Sequence, residues 1–279
     1  MNKYSTLRNI WRAIYPLLIY FACIFGVQII ISVAAIISAG DEETANAVLE
    51  QNSLLILTFS FIVALAVFLP LWIRTKKTHE VLNTGKLKPA VIALVIAAII
   101  GFSLFRSFFF LSIADLLLEI FPSIEGVVSV LTGGNFLLQV VTICLLAPVL
   151  EEFFVRGVVL NRLCTWMKPW VAILISAVMF GAIHWNPVQF INATIMGLFL
   201  GYAYIRTKNL TIPILMHIAN NAVSQFLGYI LMAAGVTSAE DIPVLALSIV
   251  SITATVVLAV LFYRSTKTEE AQTVLQTDV

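Results

Sequence analysis

The segment LLAPVLEEFFVRGVVL, Leu145–Leu160, is apolar enough to form part of a membrane-crossing helix, yet it contains three ionisable residues, Glu151, Glu152 and Arg156. A charged side chain in lipid costs several kcal/mol unless it is compensated. Glu152 and Arg156 are four residues apart, so a helix places them on one face, where they can neutralise each other. Glu151 points about 100° away and has no such partner. A carboxylate held without a partner in a poor solvent binds a proton readily, which suits a general base.

A purely structural interpretation of this trio is a packing salt bridge plus one carboxylate at the edge of the membrane. That interpretation leaves the position of Glu151 unexplained. Pro148, three residues upstream, removes one backbone hydrogen bond and predicts a distortion of the helix.

The composition of the whole chain is that of a membrane protein. Of its 279 residues, 61% are hydrophobic and only 11% are charged, and the mean hydropathy is +1.02. Soluble domains are about half apolar and about a quarter charged. The three cysteines form no CxxC pair, so the sequence predicts neither a disulfide framework nor a thiolate metal site.

Eight apolar runs are each long enough, or nearly so, to cross about 30 Å as a helix. They predict an all-α, polytopic membrane protein with about eight transmembrane helices. The chain then forms a single transmembrane domain, 1–279, with a motif-bearing core over about 136–235 and a flexible cytoplasmic tail over 265–279. Two interpretations fit 112–135 equally well: a short interfacial helix and ordinary loop packing. The runs are 14–38, 53–73, 89–111, 136–161, 169–185, 188–205, 210–235 and 243–263.

The basic residues predict the orientation of the chain. All but two of the 16 Lys and Arg residues fall on one side of an eight-span arrangement. The positive-inside rule places that side, with both termini, in the cytoplasm. The two exceptions, Arg106 and Arg156, lie inside spans, and Arg106 is close enough to the outer end of its span to snorkel or pair. His79 lies in a basic loop and is expected to be solvated.

The other two histidines are embedded in apolar segments. His184 ends the fifth run, in FGAIHWN, and His217 lies in the seventh, in ILMHIANN. Asn221 follows His217 by four residues and shares its helix face, while the adjacent Asn220 is expected to turn away. The turn His184-Trp185-Asn186-Pro187 can join the fifth and sixth runs in a tight hairpin.

Together with Glu151, these residues contain the groups that peptide-bond hydrolysis needs. A carboxylate and a histidine can hold and deprotonate a water, and a histidine and an asparagine can donate hydrogen bonds to the oxyanion. No serine or cysteine beside a histidine motif competes as the nucleophile. The same Glu, His and His can instead ligate Zn²⁺, but the HExxH spacing is missing and we expect no cofactor. Embedded Glu and His also form proton relays in transporters, although here they cluster rather than trace a path across the bilayer.

The depth of the pocket follows from the helical rise. At 1.5 Å per residue, we expect Glu151 to lie roughly 15 Å from the cytoplasmic side, His217 roughly 10 Å and His184 roughly 20 Å. If the two shallower values hold, the pocket opens towards the cytoplasm.

Three motifs on three spans resemble those of the CPBP intramembrane proteases. This family takes in type II CAAX prenyl endopeptidases and bacteriocin-processing or immunity proteins, also called Abi. The motifs are Glu151-Glu152-x-x-x-Arg156, Phe180-x-x-x-His184 and His217-x-x-x-Asn221. The resemblance covers about 151–221. It implies that Glu151 and His184 activate the water, that His217 and Asn221 stabilise the oxyanion, that Glu152 and Arg156 brace the site, and that Phe180 shapes it.

The resemblance implies a glutamate-dependent endopeptidase that acts inside the membrane on a peptide or a small membrane protein. In the CAAX-cleaving members the substrate is a prenylated cysteine followed by three residues, but the motifs do not report whether this chain takes a prenylated substrate. The alternative is a non-catalytic scaffold or a bacteriocin self-immunity protein of the same fold. The expected partners are the substrate and the lipid bilayer, with no nucleic acid. The abundance of the family in bacteria points to a bacterial plasma membrane.

Overall fold

The computed structural model describes residues 6–78, 88–122, 135–235 and 243–277. Within these ranges the chain is helical and contains no β-strand, which confirms the all-α fold class. The helices are α1 (Thr6–Ala39), α2 (Glu42–Gln51), α3 (Ser53–Thr78), α4 (Pro89–Ser112), α5 (Ala114–Ile120), α6 (Phe136–Cys164), α7 (Pro169–Ala182), α8 (Pro187–Thr207), α9 (Thr211–Ala233) and α10 (Val244–Thr277).

Six helices in the described part of the chain are long and apolar enough to cross a membrane: α1, α3, α4, α6, α8 and α10. The multi-pass architecture is therefore confirmed. The other two expected spans correspond to α7 and α9. With 14 residues, α7 is shorter than the roughly 20 that a full crossing needs. With 23 residues, α9 is long enough, but its embedded histidine, asparagines and glutamine lower its hydropathy. The orientation of the termini stays a prediction.

Most helix bounds follow the apolar runs. Of the two alternatives for 112–135, the structure shows a short helix, α5, while 123–134 and His79 lie outside the described residues. The last helix, α10, continues to Thr277 through most of the segment 265–279 that was expected to be a flexible tail. The flexibility and the cytoplasmic location of that segment stay predictions.

The short helix α2 is an element that the apolar runs do not predict, because it is polar. Its N-cap is Asp41, whose carboxylate accepts a hydrogen bond from the backbone N–H of Thr44 at 2.7 Å. This hydrogen bond lowers the pKa of Asp41 below its ordinary value. Glu42 and Glu43 follow in the first turn. A capping residue followed by acidic residues is the signal that predicts such a helix.

Helix α6 contains the segment Leu145–Leu160, and its backbone hydrogen bonding is irregular. Two stretches are π-helical, Val140–Leu146 and Val155–Leu160, and the α-helical stretch Ala147–Phe154 between them carries both glutamates. Pro148 has no N–H to give to the carbonyl four residues earlier. The distortion predicted there takes the form of wider π-helical turns, which are frequent at functional sites.

Helix α6 lies at the centre of the bundle. It packs against α1, α3, α7, α8 and α9. In the most apolar 18-residue stretch of α6, 56% of the residues are buried inside the protein. In the corresponding stretches of α1 and α10 the share is 11%. Leu150, Phe154 and Val158 of α6 are fully buried in the hydrophobic core. The charged residues of α6 are therefore enclosed by protein rather than by lipid.

Helices α7 and α8 form a closely packed hairpin. Trp185 in the turn has a left-handed backbone conformation, with φ 53°. Asn186 caps α8 by accepting hydrogen bonds from the backbone N–H groups of its second and third residues, at 3.0 and 3.2 Å. Pro187 occupies the first helical position, which favours proline. The structure confirms the predicted hairpin, and its turn holds His184 at the end of α7.

Candidate active site

Glu152 and Arg156 form the ion pair that their spacing predicts. Arg156 Nη1 lies 2.8 Å from Glu152 Oε1, and both side chains are fully buried. Arg156 Nη2 donates to the carbonyl oxygen of Gly197 on α8 at 2.9 Å. The guanidinium also lies over the ring of Phe180 on α7, 4.9 Å from its centroid. Arg156 thus joins α6 to both helices of the hairpin.

Glu152 also holds His217 of α9. His217 Nδ1 lies 3.0 Å from Glu152 Oε1, the same oxygen that receives Arg156. An ionised carboxylate can only accept, so Nδ1 carries a proton. The other ring nitrogen, Nε2, is then turned towards Glu151, whose Oε2 lies 3.7 Å away. Glu152 therefore sets both the tautomer and the orientation of His217.

Glu151 lies beside His217, as expected if the embedded carboxylate and histidines share one pocket. Residue spacing within α6 offers this carboxylate no partner, and its neighbour comes from α9 instead. Glu151 is 7% exposed, and that exposed part faces an internal cavity. Its carboxylate is consequently enclosed but within reach of a small molecule in the cavity.

His184 reaches the same cavity from the end of α7. Its Nδ1 lies 3.0 Å from the carbonyl oxygen of Phe180, and a carbonyl can only accept, so Nδ1 carries a proton. In the neutral ring, Nε2 then has an available lone pair. The Phe180 ring is fully buried and meets His184 and His217 edge to face, with centroids 5.2 and 5.5 Å away. Phe180 therefore separates the two imidazoles and limits their rotation.

Asn221 links α9 to the first π-helical stretch of α6. Its Nδ2 donates to the carbonyl oxygen of Ile143 at 2.8 Å, and its Oδ1 accepts from Asn220 Nδ2 at 2.9 Å. Asn220 in turn accepts from Ser103 Oγ of α4 at 2.8 Å. The prediction that Asn220 turns away from the pocket was wrong, since it lines the cavity too. Helix α9 is packed between α4 and α6, so two adjacent residues can both face protein.

The cavity has a volume of about 600 Å³. All four side chains predicted to be catalytic line it: Glu151, His184, His217 and Asn221. Several further polar residues of its wall were not predicted to line it, and they recur at helical spacing on α8 and α9. This spacing of polar residues in apolar helices is the signal that could have found them. They are Gln189, Asn192, Asn220, Ser224 and Gln225, and Arg106 of α4 joins them.

The cavity extends away from the basic loops. Its lining runs from Glu151 back to Ile143 on α6, and from His217 forward to Tyr229 on α9. The opposite half of the bundle is filled by large, fully buried side chains such as Leu160 and Tyr204. The cavity therefore extends towards the helix ends opposite the basic loops, and not towards the side on which the sequence predicted its opening. Counting residues along a helix gives the depth of a polar side chain, but it does not show which half of the bundle is filled by side chains and which contains a cavity.

Metal ligation gains no support from the positions of the side chains. Among the residues that the structure describes, no three His, Cys, Asp or Glu side chains form a group that could hold a metal ion. His217 Nδ1 and Glu152 are already engaged with each other.

The region that contains this site is similar to known proteins. Residues 133–223 match the family profile described as "Type II CAAX prenyl endopeptidase Rce1-like". The chain is 31% identical over 84 residues to the Bacillus subtilis (strain 168) protein named "Putative membrane peptidase YdiL", an alignment that covers 30% of this chain and 34% of that protein. It is 32% identical over 101 residues to an Escherichia coli protein named "Uncharacterized 24.3 kDa protein", covering 34% of this chain and 46% of that protein.

The chain thus spans 34% and 46% of the length of these curated relatives. No solved structure is significantly similar to it. The matched region begins just before α6, ends within α9, and includes every motif residue from Glu151 to Asn221. Over residues 133–223, which include the candidate catalytic residues, the chain is therefore similar to the Rce1-like type II CAAX prenyl endopeptidases.

Proposed function

We propose that the chain is an intramembrane endopeptidase in which Glu151 activates a water to hydrolyse a peptide bond. The observation that carries the proposal is the fixed relation of three buried side chains. Glu152 orients His217, and the free ring nitrogen of His217 faces Glu151 on the wall of the cavity. The similarity to type II CAAX prenyl endopeptidases over residues 133–223 supports the same activity.

Glu151 and His184 have complementary roles in activating the water. Glu151 takes a proton from the water as the water oxygen attacks the carbonyl carbon of the peptide. His184 Nδ1–H donates a hydrogen bond to the Phe180 carbonyl, so the unprotonated Nε2 accepts a hydrogen bond from the same water and helps to orient it. A positioned general base of this kind contributes about 10²–10⁴-fold to the rate.

Asn221 and His217 stabilise the oxyanion in this mechanism. Asn221 Nδ2 has a second hydrogen besides the one donated to Ile143. His217 Nε2 can donate only when both ring nitrogens carry protons, because Glu152 already engages Nδ1. The proton taken up by Glu151, 3.7 Å away, can meet this condition by moving to Nε2. It then passes to the amine as the carbon–nitrogen bond breaks.

The proposed substrate is a peptide or a small membrane protein that enters the cavity in an extended form. Apolar side chains such as Leu57, Phe61 and Met196 line part of the wall, and amide side chains line another part. The family similarity makes a CAAX-like substrate with a prenylated cysteine one candidate. The alternative function, a non-catalytic scaffold or immunity protein, predicts that biological activity survives the loss of Glu151.

The test is peptide hydrolysis by the purified full-length chain in nanodiscs. The chain is incubated with two mixtures of synthetic peptides, one with farnesylated cysteine and one with unmodified cysteine, and products are identified by mass spectrometry. We expect cleavage by the unmodified chain and a loss of about 10²-fold or more in Glu151→Gln. Glu50→Gln, on the exposed helix α2, is the matched control and should keep full activity. Cleavage that persists in Glu151→Gln, His184→Ala and His217→Ala would refute the proposal.

A further inference from the structure

Three arginines from three helices meet at the basic end of the bundle, outside the cavity. Arg162, in the last turn of α6, is 5% exposed. Its Nη1 donates to the backbone carbonyl oxygen of Arg12 on α1 at 2.9 Å, and its Nη2 donates to Thr75 Oγ1 on α3 at 3.2 Å. Arg74 precedes Thr75, and both Arg12 and Arg74 lie close enough to Arg162 to repel its charge. Arg162 therefore ties α1 and α3 to the helix that carries the two glutamates.

Arg162 is held by uncharged partners in the described part of the chain. Among those residues it forms no ion pair with a carboxylate, and its Nε–H has no hydrogen-bond partner. Its guanidinium carbon lies 4.9 Å from the ring centroid of Tyr15. The helix ends that meet here, 6–20, 66–78 and 155–170, contain no Asp or Glu. A buried guanidinium beside two others is destabilised by their charge, so an anion from outside the chain would stabilise this junction.

Aromatic residues place the three arginines at the level of the lipid headgroups. Trp11 adjoins Arg12 on α1, Trp170 lies in the first turn of α7, and both indoles are exposed. Exposed tryptophans at the ends of membrane helices are typical of the membrane–water interface. Ile14 and Leu18 follow along α1 towards the middle of the membrane and are also exposed. A phospholipid at this position can reach the arginines with its phosphate and pack an acyl chain on α1.

We propose that Arg12, Arg74 and Arg162 bind the phosphate of an anionic phospholipid from the leaflet at the basic end of the bundle. Arg12 is half-buried and Arg74 is exposed, so these two form charge-assisted hydrogen bonds with the phosphate oxygens, while Arg162 lies behind them and adds its charge. Basic pockets between membrane helices bind such headgroups. The bound lipid holds α1 and α3 against α6. The inference does not depend on the proposed function, because none of the three arginines lines the cavity.

Phosphatidylglycerol and phosphatidylcholine are a matched pair of probes. Both contain the same phosphate diester, but the choline of phosphatidylcholine cancels its charge and the glycerol of phosphatidylglycerol does not. Each arginine near an anionic headgroup contributes about a fivefold factor in affinity. Two accessible arginines therefore predict a preference of about 25-fold for phosphatidylglycerol.

The test is native mass spectrometry of the purified full-length chain in detergent with equal amounts of the two lipids, both with the same acyl chains. The unmodified chain should retain phosphatidylglycerol with the predicted preference. Arg12→Gln and Arg74→Gln should each lower the preference about fivefold, and Arg74→Lys should keep most of it. Arg264→Gln is the matched control, because it removes an exposed arginine from α10 at the same end of the bundle and should leave the preference unchanged.

Equal retention of the two lipids by the unmodified chain would overturn the inference, even if every arginine variant failed to fold. A preference that Arg264→Gln lowers as much as Arg74→Gln would overturn it too, because that pattern is diffuse attraction to the whole basic face. The melting temperature separates a lipid from a free phosphate. It should rise with phosphatidylglycerol and not with millimolar inorganic phosphate, and an equal rise with inorganic phosphate would refute the lipid assignment.

Discussion

The two adjacent glutamates of α6 have different surroundings because a helix turns about 100° per residue. Glu152 is fully buried between Arg156 and His217. Glu151 borders the cavity and lies 3.7 Å from His217. We infer that Glu152 holds the site together and that Glu151 performs the chemistry.

Substitution of each glutamate by glutamine should separate these roles. Glu152→Gln leaves the buried Arg156 without its counter-charge and should destabilise the fold by about 3–5 kcal/mol. Glu151→Gln removes no ion pair with arginine, so its melting temperature should stay near that of the unmodified chain while hydrolysis is lost. Thermal unfolding in detergent, followed alongside peptide cleavage, measures both effects. Equal destabilisation by the two substitutions would contradict the division of roles.

At the scale of the element, the α7–α8 hairpin positions His184. The two helices approach closely at Gly181, where a Cβ atom would lie 2.7 Å from the backbone oxygen of Phe190. Backbone cannot move aside as a flexible side chain can. His184 follows Gly181 by three residues, so the spacing of the hairpin sets the position of its imidazole.

We therefore expect Gly181→Ala to force the hairpin apart. Overpacking of this kind costs about 1–3 kcal/mol, and the displaced His184 should also lower the rate of hydrolysis. Gly26→Ala on α1 is the matched control, because nothing lies within 4 Å of its added Cβ. The melting temperatures of the two variants, measured in the same detergent, give the comparison. A Gly181→Ala protein as stable as Gly26→Ala would show that the hairpin is not tightly packed at this glycine.

The sequence was sufficient for the contacts that lie within one helix. The pair Glu152–Arg156 follows from spacing alone, and the hairpin turn follows from Asn186 and Pro187. Contacts between helices depend on how each helix is rotated and packed. For that reason the sequence did not predict that His217 would hydrogen-bond to Glu152 rather than to Glu151.

The sequence also did not predict the two π-helical stretches of α6. An apolar run predicts a helix, but it does not show whether each N–H bonds to the carbonyl four residues earlier, as in an α-helix, or five residues earlier, as in a π-helix. In this protein a donor from another helix, Asn221 of α9, binds the Ile143 carbonyl within the first π-helical stretch. Similarly, α2 lacked an apolar signal and could be predicted only from its cap.

At the scale of the whole molecule, one half of the bundle is packed and the other contains the cavity. The packed half carries the basic loops, including Arg162, Lys168, Arg206 and Lys208. The cavity is lined from the opposite helix ends. If the positive-inside rule holds for this chain, the site is reached from the half of the membrane that faces away from the cytoplasm.

Cysteine labelling in intact cells tests this orientation. In a cysteine-free background, Glu43→Cys on α2 should react with a membrane-impermeant maleimide, because α2 lies at the non-basic side. Lys208→Cys, in the turn between α8 and α9, should react only after the cells are permeabilised. Both positions are exposed in the structure, so a difference in labelling reports sidedness rather than burial. The opposite pattern would place the basic loops outside the cytoplasm.

The central claim, that Glu151 activates a water for peptide hydrolysis, is tested most directly by isotope incorporation. The purified chain in nanodiscs is incubated with the farnesylated and unmodified peptides in water enriched in ¹⁸O, and the new carboxyl termini are weighed by mass spectrometry. The unmodified chain should produce a cleaved peptide with one ¹⁸O atom in its new carboxylate, and Glu151→Gln should produce none above background. Equal yields of ¹⁸O-labelled product from the two proteins, or no cleavage by the unmodified chain, would contradict the claim.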